Sequence, residues 1–269
     1  MIPPFLETIL LAIIDFFFRF FPQKRPSLDQ LKGTKLVSHR GERNDQTIFE
    51  NTLESLGKAV ENGVWGIGFD VRWTKDLVPV VFHDETAERV FKKKVTIKNQ
   101  TFFELREVLP LIPSLEEVVE SFGKKIHFLI EIKKEKFPFL EEQKIILKKI
   151  LSPLEEQKDY HTITLNPETL PLVDFLKPNT KLLVAELNFN HLLSIVESEN
   201  LGGLLGHYLF LGQEIMEKLQ AKNQILGTGY IRSKNLFFRE VNRGVNWIFS
   251  NHAVEVEKMR QELIKEQET

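Results

Sequence analysis

From residue 35 onward, short runs rich in Val, Ile, Leu and Phe alternate with stretches of helical periodicity, and this alternation restricts the chain more than any other feature. Nine runs read as strands, at 35–39, 64–72, 78–83, 126–133, 160–165, 181–186, 203–209, 224–230 and 245–249. Strands that alternate with helices build βα units and a parallel sheet. Ser114, three residues before Glu117, gives the pattern of a capping box opening a helix that ends near Gly123, and Asn166-Pro167-Glu168 marks another helix start. About eight strands with intervening helices suit a closed α/β fold, the (β/α)8 TIM barrel, better than an open sheet. No GxGxxG follows the first strand to suggest a dinucleotide site.

A single barrel of this kind takes roughly 250 residues, and the chain has 269. Its 36 Lys plus Arg against 38 Asp plus Glu leave a net charge of −2, so no basic field exists to hold a nucleic-acid backbone. With 0 cysteines there is no disulfide and no thiolate metal site, so any metal must be held by oxygen or imidazole.

Residues 1–26, MIPPFLETILLAIIDFFFRFFPQKRP, depart from the rest, and the domain proper is expected to span 27–269. No Lys or Arg precedes Arg19, which argues against a secretory signal. Glu7, Asp15 and Arg19 interrupt a membrane-spanning reading. An additional apolar N-terminal helix fits better, with those three on one stripe and Phe5, Ile9, Phe16 and Phe20 among the rest. Such a helix either lies in a membrane interface, with Lys24 and Arg25 as basic anchors, or packs against its own domain or a second copy. The expected location is the cytoplasm, at the inner face of the membrane if residues 1–25 touch lipid. Oligomeric state is not readable from this pattern.

In a barrel the working groups stand at the C-terminal ends of strands. The first run ends in His39-Arg40-Gly41, the second carries Asp70, the third ends in His83-Asp84, and the fourth carries Glu131 and Lys133. A lone strand-end histidine is more often structural than functional. Together, two imidazoles, two carboxylates and two cations supply an acid, a base, oxygen ligands for a hard cation and positive charge for an anion, a combination suited to phosphate-ester cleavage. Period two places His127, Leu129, Glu131 and Lys133 on one side of their strand. Lys92-Lys93-Lys94 reads as a solvated loop, His207-Tyr208 as lining the mouth or the structure around it, and His161, His191 and His252 as surface or packing residues.

The ordered set His39-Arg40-Gly41, Glu50-Asn51-Thr52, Asp70 with Trp73-Thr74-Lys75-Asp76, Pro79 to Asp84, and Glu131-Ile132-Lys133 resembles the motifs of glycerophosphodiester phosphodiesterases. The closing Gly244 to Asn251 is similar to that family's last strand. The resemblance implies a TIM barrel and hydrolysis of a small-molecule glycerophosphodiester to glycerol 3-phosphate and an alcohol, with one divalent cation, Mg²⁺ or Ca²⁺. It implies that His39 and His83 are the acid/base pair and that Arg40 and Lys133 bind the phosphate. Asp70 and Glu131 would hold the metal, and Glu50 would support the site.

The family's second-strand motif is Glu-x-Asp, and here it reads Gly68-Phe69-Asp70. The missing side chain would be a metal-binding carboxylate. Its loss should weaken cation affinity and lower the rate unless another acid, Glu50 or Asp84, substitutes. A catalytically silent phosphodiester-binding protein and a lysophospholipase D-like enzyme at a membrane surface are the rival readings. The longer interval between Gly41 and Glu50, and Gly227-Thr228-Gly229-Tyr230 where a tryptophan is usual, leave the head-group wall open.

Overall fold

The computed structural model describes Ile13 and residues 16–269. Most of the expected N-terminal helix, including Phe5, Glu7, Ile9 and Asp15, therefore lies outside the described residues. Residues 16–19 are helical. Helix α1 (Leu28–Gly33) opens on a capping box made by Ser27 and Gln30 and leads directly into β1 (Lys35–His39). Helix α2 (Leu53–Glu61) and strand β2 (Gly66–Trp73) follow.

The third run is shorter than expected and is not a barrel strand. Strand β3 (Pro79–Val81) turns back antiparallel to β2, pairing Val71 with Val81 and Trp73 with Pro79. It opens an excursion carrying α3 (Glu88–Phe91) and α4 (Phe102–Val108), with a small core of its own that includes Val80, Phe82, Ile97, Leu105 and Ile112. The chain then rejoins the barrel through α5 (Leu115–Phe122), capped reciprocally by Ser114 and Glu117 as the sequence predicts.

The remaining elements are β4 (His127–Ile132), α6 (Leu140–Leu151), β5 (Tyr160–Thr164), β6 (Lys181–Ala185), α7 (Phe189–Ser198), β7 (Gly203–His207), α8 (Gln213–Ala221), β8 (Ile225–Gly229), α9 (Lys234–Asn242), β9 (Trp247–Ser250) and α10 (Ala253–Glu268). They alternate, except that no α-helix stands between β5 and β6. The helix predicted at Asn166-Pro167 forms only a 3₁₀ segment, Pro167–Val173, because Pro171 inside it has no N–H to continue an α-helix.

Eight parallel strands close on themselves, β1 pairing with both β2 and β9, so this is a TIM barrel. Parallel strands are buried on both faces, which explains runs such as Phe128-Leu129-Ile130 that lack polar alternation. Val37, Leu129, Leu182, Leu205 and Phe249 fill the lumen, and a larger apolar layer lies between strands and helices. Among the described residues no helix is long and apolar enough to cross a membrane.

Candidate active site

The first strand ends in a turn that only this sequence pattern permits. Arg40 and Gly41 both take left-handed backbone angles, φ 66° and 79°. A Cβ on Gly41 would stand 2.6 Å from the backbone carbon of Ser55, so the position admits no side chain. The turn is fastened by the Arg40 amide donating to the Gly68 carbonyl (2.7 Å) and the Asn51 amide donating to the Arg40 carbonyl (2.9 Å). It sets His39 in the lumen and swings Arg40 back across it.

Asp70 and Glu131 are Cα partners in the β2–β4 ladder, so the two carboxylates stand side by side at the mouth end of the barrel. Lys133 Nζ donates to Glu131 Oε1 at 2.5 Å and lies 3.4 Å from Asp70 Oδ1. On the other side Arg40 Nε makes an ion pair with Asp70 Oδ2 at 3.2 Å, and Asn51 Nδ2 donates to the same oxygen at 2.8 Å. Burial disfavours the charge on Asp70, but Arg40 and Lys133 outweigh it and hold the carboxyl well below its ordinary range. Glu131 goes the other way, pushed up by burial and by the negative charge of Asp70 beside it.

The two imidazoles have different partners. His39 Nδ1 bonds the amide oxygen of Asn251 at 2.8 Å, and burial, aided by the charge of Arg40, pushes the ring down to about 3. A neutral amide oxygen can only accept, so Nδ1 carries the proton and Nε2 is the basic nitrogen. His83 Nδ1 instead lies 2.6 Å from the carboxylate of Asp84. It arrives on the antiparallel excursion, which is fastened beside the cluster by the Phe82 amide donating to the Asp70 carbonyl at 2.9 Å.

Glu50 does not face the carboxylate pair as a spare ligand. Its oxygens accept from Arg40 (3.1 Å) and from both terminal nitrogens of Arg89, with Arg43 at 3.5 Å. Burial opposes its ionisation, yet Arg89, Arg40 and Arg43 hold it below the usual carboxylate range. Asp84 is likewise taken, by His83 and by Arg89 Nε at 2.6 Å. Neither acid named as a substitute for the missing one has a free oxygen pair to offer.

Oxygen donors of the kind a hard cation takes are thus present at Asp70 and Glu131, and they fit such an ion in kind. They are short in number. Among the described residues no three His, Asp or Glu side chains stand close enough together to hold a metal ion. Gly68 lies two residues before Asp70 on the lumen side, where a Cβ would meet only ordinary contacts with Phe249 and Val37.

Several residues that shape this site carried no individual sequence signal. Asn51 and Asn251 sit inside recognisable motifs without an evident role. Arg43, Arg72 and Arg89 become meaningful only once the chain folds; Arg72 Nε, for example, donates to the His83 carbonyl at 2.7 Å. The rim beyond is aromatic. His39 meets Tyr230 edge-on (6.0 Å), Tyr230 lies 5.9 Å from His207, and His207 stacks on Tyr208 at 4.3 Å. His127, on the same strand face as Glu131, lies at the opposite, floor end, bonded to buried His161.

A family model described as the glycerophosphoryl diester phosphodiesterase family matches residues 39–201. The chain belongs to this family. Its members are phosphoric diester hydrolases. A glycerophosphodiester phosphodiesterase of Bacillus altitudinis is 25% identical over 253 residues, covering 86% of this chain and 99% of that one. Glycerophosphodiester phosphodiesterase 1 of mouse is 32% identical over 137 residues, 43% of this chain and 40% of that protein. Among solved structures, an Oleispira antarctica phosphodiesterase in complex with the product sn-glycerol-3-phosphate superposes with a TM-score of 0.72 at 21% identity, covering 83% of this chain and 95% of that one. The Thermotoga maritima glycerophosphodiester phosphodiesterase gives 0.68 at 24%, covering 84% and 97%. These likenesses speak to the barrel.

Proposed function

We propose that this phosphodiesterase cleaves small glycerophosphodiesters to glycerol 3-phosphate and an alcohol, at a rate limited by the glycine at position 68. The observation that carries the reading is the pair of imidazoles, one on an amide and one on a carboxylate, flanking Asp70, Glu131, Arg40 and Lys133.

The partners of each ring support distinct roles. Neutral His39 takes the proton from the attacking water through Nε2, and the negative charge of the incoming diester favours that protonation. His83, whose Nδ1 faces the Asp84 carboxylate, is the general acid, and it gives its Nε2 proton to the leaving alcohol oxygen. One P–O bond forms as the other breaks, and the two rings exchange protonation states. Arg40 and Lys133 take up charge on the phosphoryl oxygens. Glu50 holds Arg40 in place.

Asp70 and Glu131 are the residues that would hold a divalent cation, Mg²⁺ or Ca²⁺, which when bound would neutralise charge on the phosphoryl group. With one carboxylate absent, affinity should be roughly 10–100-fold below that of a three-acid site. The decisive experiment is Gly68→Glu, assayed on glycerophosphocholine with each cation. A large gain over the parent is expected. A parent that is already fast and unchanged by the substitution would overturn the account.

A second reading, a silent diester-binding protein, draws on Lys133 lying across Glu131 and Asp70, where a cation would otherwise sit. Calorimetric titration separates the two, because a silent binder retains the diester without turnover at any cation concentration.

A further inference from the structure

We infer that the catalytic face of this barrel docks on a lipid bilayer, so that diesters bearing an acyl chain enter the mouth from the membrane surface. The inference rests on the proposed hydrolysis only for its substrate and not for its surface.

The path of the N-terminal segment carries it. Helix α9 follows β8 and so runs from the mouth to the floor. Asn235, in its first turn, donates to the Arg19 carbonyl at 2.8 Å, while Asn242 at its far end donates to the Lys24 carbonyl at 2.6 Å. Residues 19–24 therefore descend the flank of the barrel, and Phe16 to Phe18 stand at its mouth end. Phe18 marks the junction: its ring meets Tyr208 edge-on at 6.0 Å and lies under Arg239. Tyr208 continues the row of rings that leads through His207 and Tyr230 to His39.

Around that junction the surface is apolar. Phe16 and Phe20 are each 63% exposed, Phe17 is 57% exposed, and the neighbouring loop after β7 adds exposed Leu209 and Phe210. Leu187, after β6, extends the rim at 75% exposure. An aromatic patch beside an active-site opening is the kind of exposed surface that marks an interaction site. The sequence before it, MIPPFLETILLAIID, is apolar except for Glu7, Thr8 and Asp15.

Charge and continuity favour lipid over a second copy of the chain. Arg19, next to Phe20 in sequence, and Arg232 and Lys234, in the segment from the end of β8 into α9, are exposed on the mouth side and available to lipid phosphates. A second protein seated on the patch would close the opening, whereas a bilayer would feed it. Of the basic pair expected as the anchor, Arg25 is tied to α10 through the Leu263 carbonyl (2.7 Å) and Glu266 (2.9 Å).

The test compares the parent with a triple variant, Phe17→Glu, Phe20→Glu and Phe210→Glu, and with Ile145→Glu, which alters an exposed apolar residue on the flank of α6. Cosedimentation with vesicles of mixed phosphatidylcholine and phosphatidylglycerol should fall roughly tenfold or more in the triple variant only. Soluble glycerophosphocholine turnover should match the parent, while turnover of vesicle-borne lysophosphatidylcholine should drop with binding. A parent that stays in the supernatant, a triple variant that still binds, or a concentration-dependent dimer abolished by the triple substitution would overturn the docking surface. If neither diester is cleaved but vesicle binding follows the variants as stated, the docking surface stands and the catalytic reading falls.

Discussion

The ring of Phe249 lies directly beside the place where a side chain at position 68 would begin, 3.6 Å from a Cβ built on Gly68. Because that distance is ordinary contact, the glycine is not demanded by crowding. A glycine in a strand interior costs about 0.5–1 kcal/mol relative to alanine. Gly68→Ala should therefore raise stability by several tenths of a kcal/mol or more, read as a higher midpoint in urea. Gly68→Glu should raise Mg²⁺ or Ca²⁺ affinity by roughly 10–100-fold in calorimetry without substrate. Unchanged affinity would mean that position 68 does not reach the cation.

Asn251 decides the state of the first imidazole. Replacing it with Asp exchanges an amide for a carboxylate at 2.8 Å from His39 Nδ1, favouring the imidazolium and raising the ring from about 3. His39 acts unprotonated in the proposed reaction, so the acid limb of the rate profile should move to higher pH. A profile that stays in place would remove His39 from the base role. His39→Ala and His83→Ala should each lower kcat by roughly 10²–10⁴-fold.

Gly41→Ala is expected to harm the fold itself. The position combines φ 79° with a 2.6 Å approach to Ser55. A penalty above about 2 kcal/mol should appear as a lower urea midpoint with an unaltered m-value. A penalty below that would show that the α2 start gives way easily.

Acid should loosen the floor of the barrel. His127 Nδ1 faces the Lys158 carbonyl and must donate, so its Nε2 accepts from His161 Nδ1, 2.9 Å away. Burial lowers both rings, His127 to about 4 and His161 to about 3, from an ordinary 6.5. The unfolded chain then binds protons that the folded one refuses. Stability should fall as pH drops from about 6.5 toward 4, by on the order of 3 kcal/mol for one ring. His161→Phe should flatten that dependence in urea titrations at several pH values; an equally steep curve would assign the acid sensitivity to other groups.

Much of this molecule is legible in its sequence because parallel strands covered on both faces must be apolar throughout, as Phe128-Leu129-Ile130 is. Composition does not encode direction, however. Pro79-Val80-Val81 looks like a barrel strand and folds back antiparallel. The groups His39, Asp70, His83, Glu131 and Lys133 could be named because each lies on a strand or just beyond its end. Arg89 could not, since its hold on Glu50 and Asp84 spans elements whose approach only the closed fold decides. The contact of His127 with His161 escaped notice for the same reason, being made between neighbouring strands 34 residues apart.

The excursion between β2 and α5 gives the site a seam. His39 is fixed by the ladder of β1, whereas His83 rides on a lobe with its own small core. That lobe is joined to the barrel by the short β2–β3 pairing, the Phe82 amide on the Asp70 carbonyl, Arg72 on the His83 carbonyl and Arg89 on Glu50. The spacing of the two rings is thus set by a handful of joints and not by the hoop of strands. Loosening one joint would shift His83 against His39 while leaving the hoop intact, so the spacing of the two rings answers to this lobe separately from the barrel.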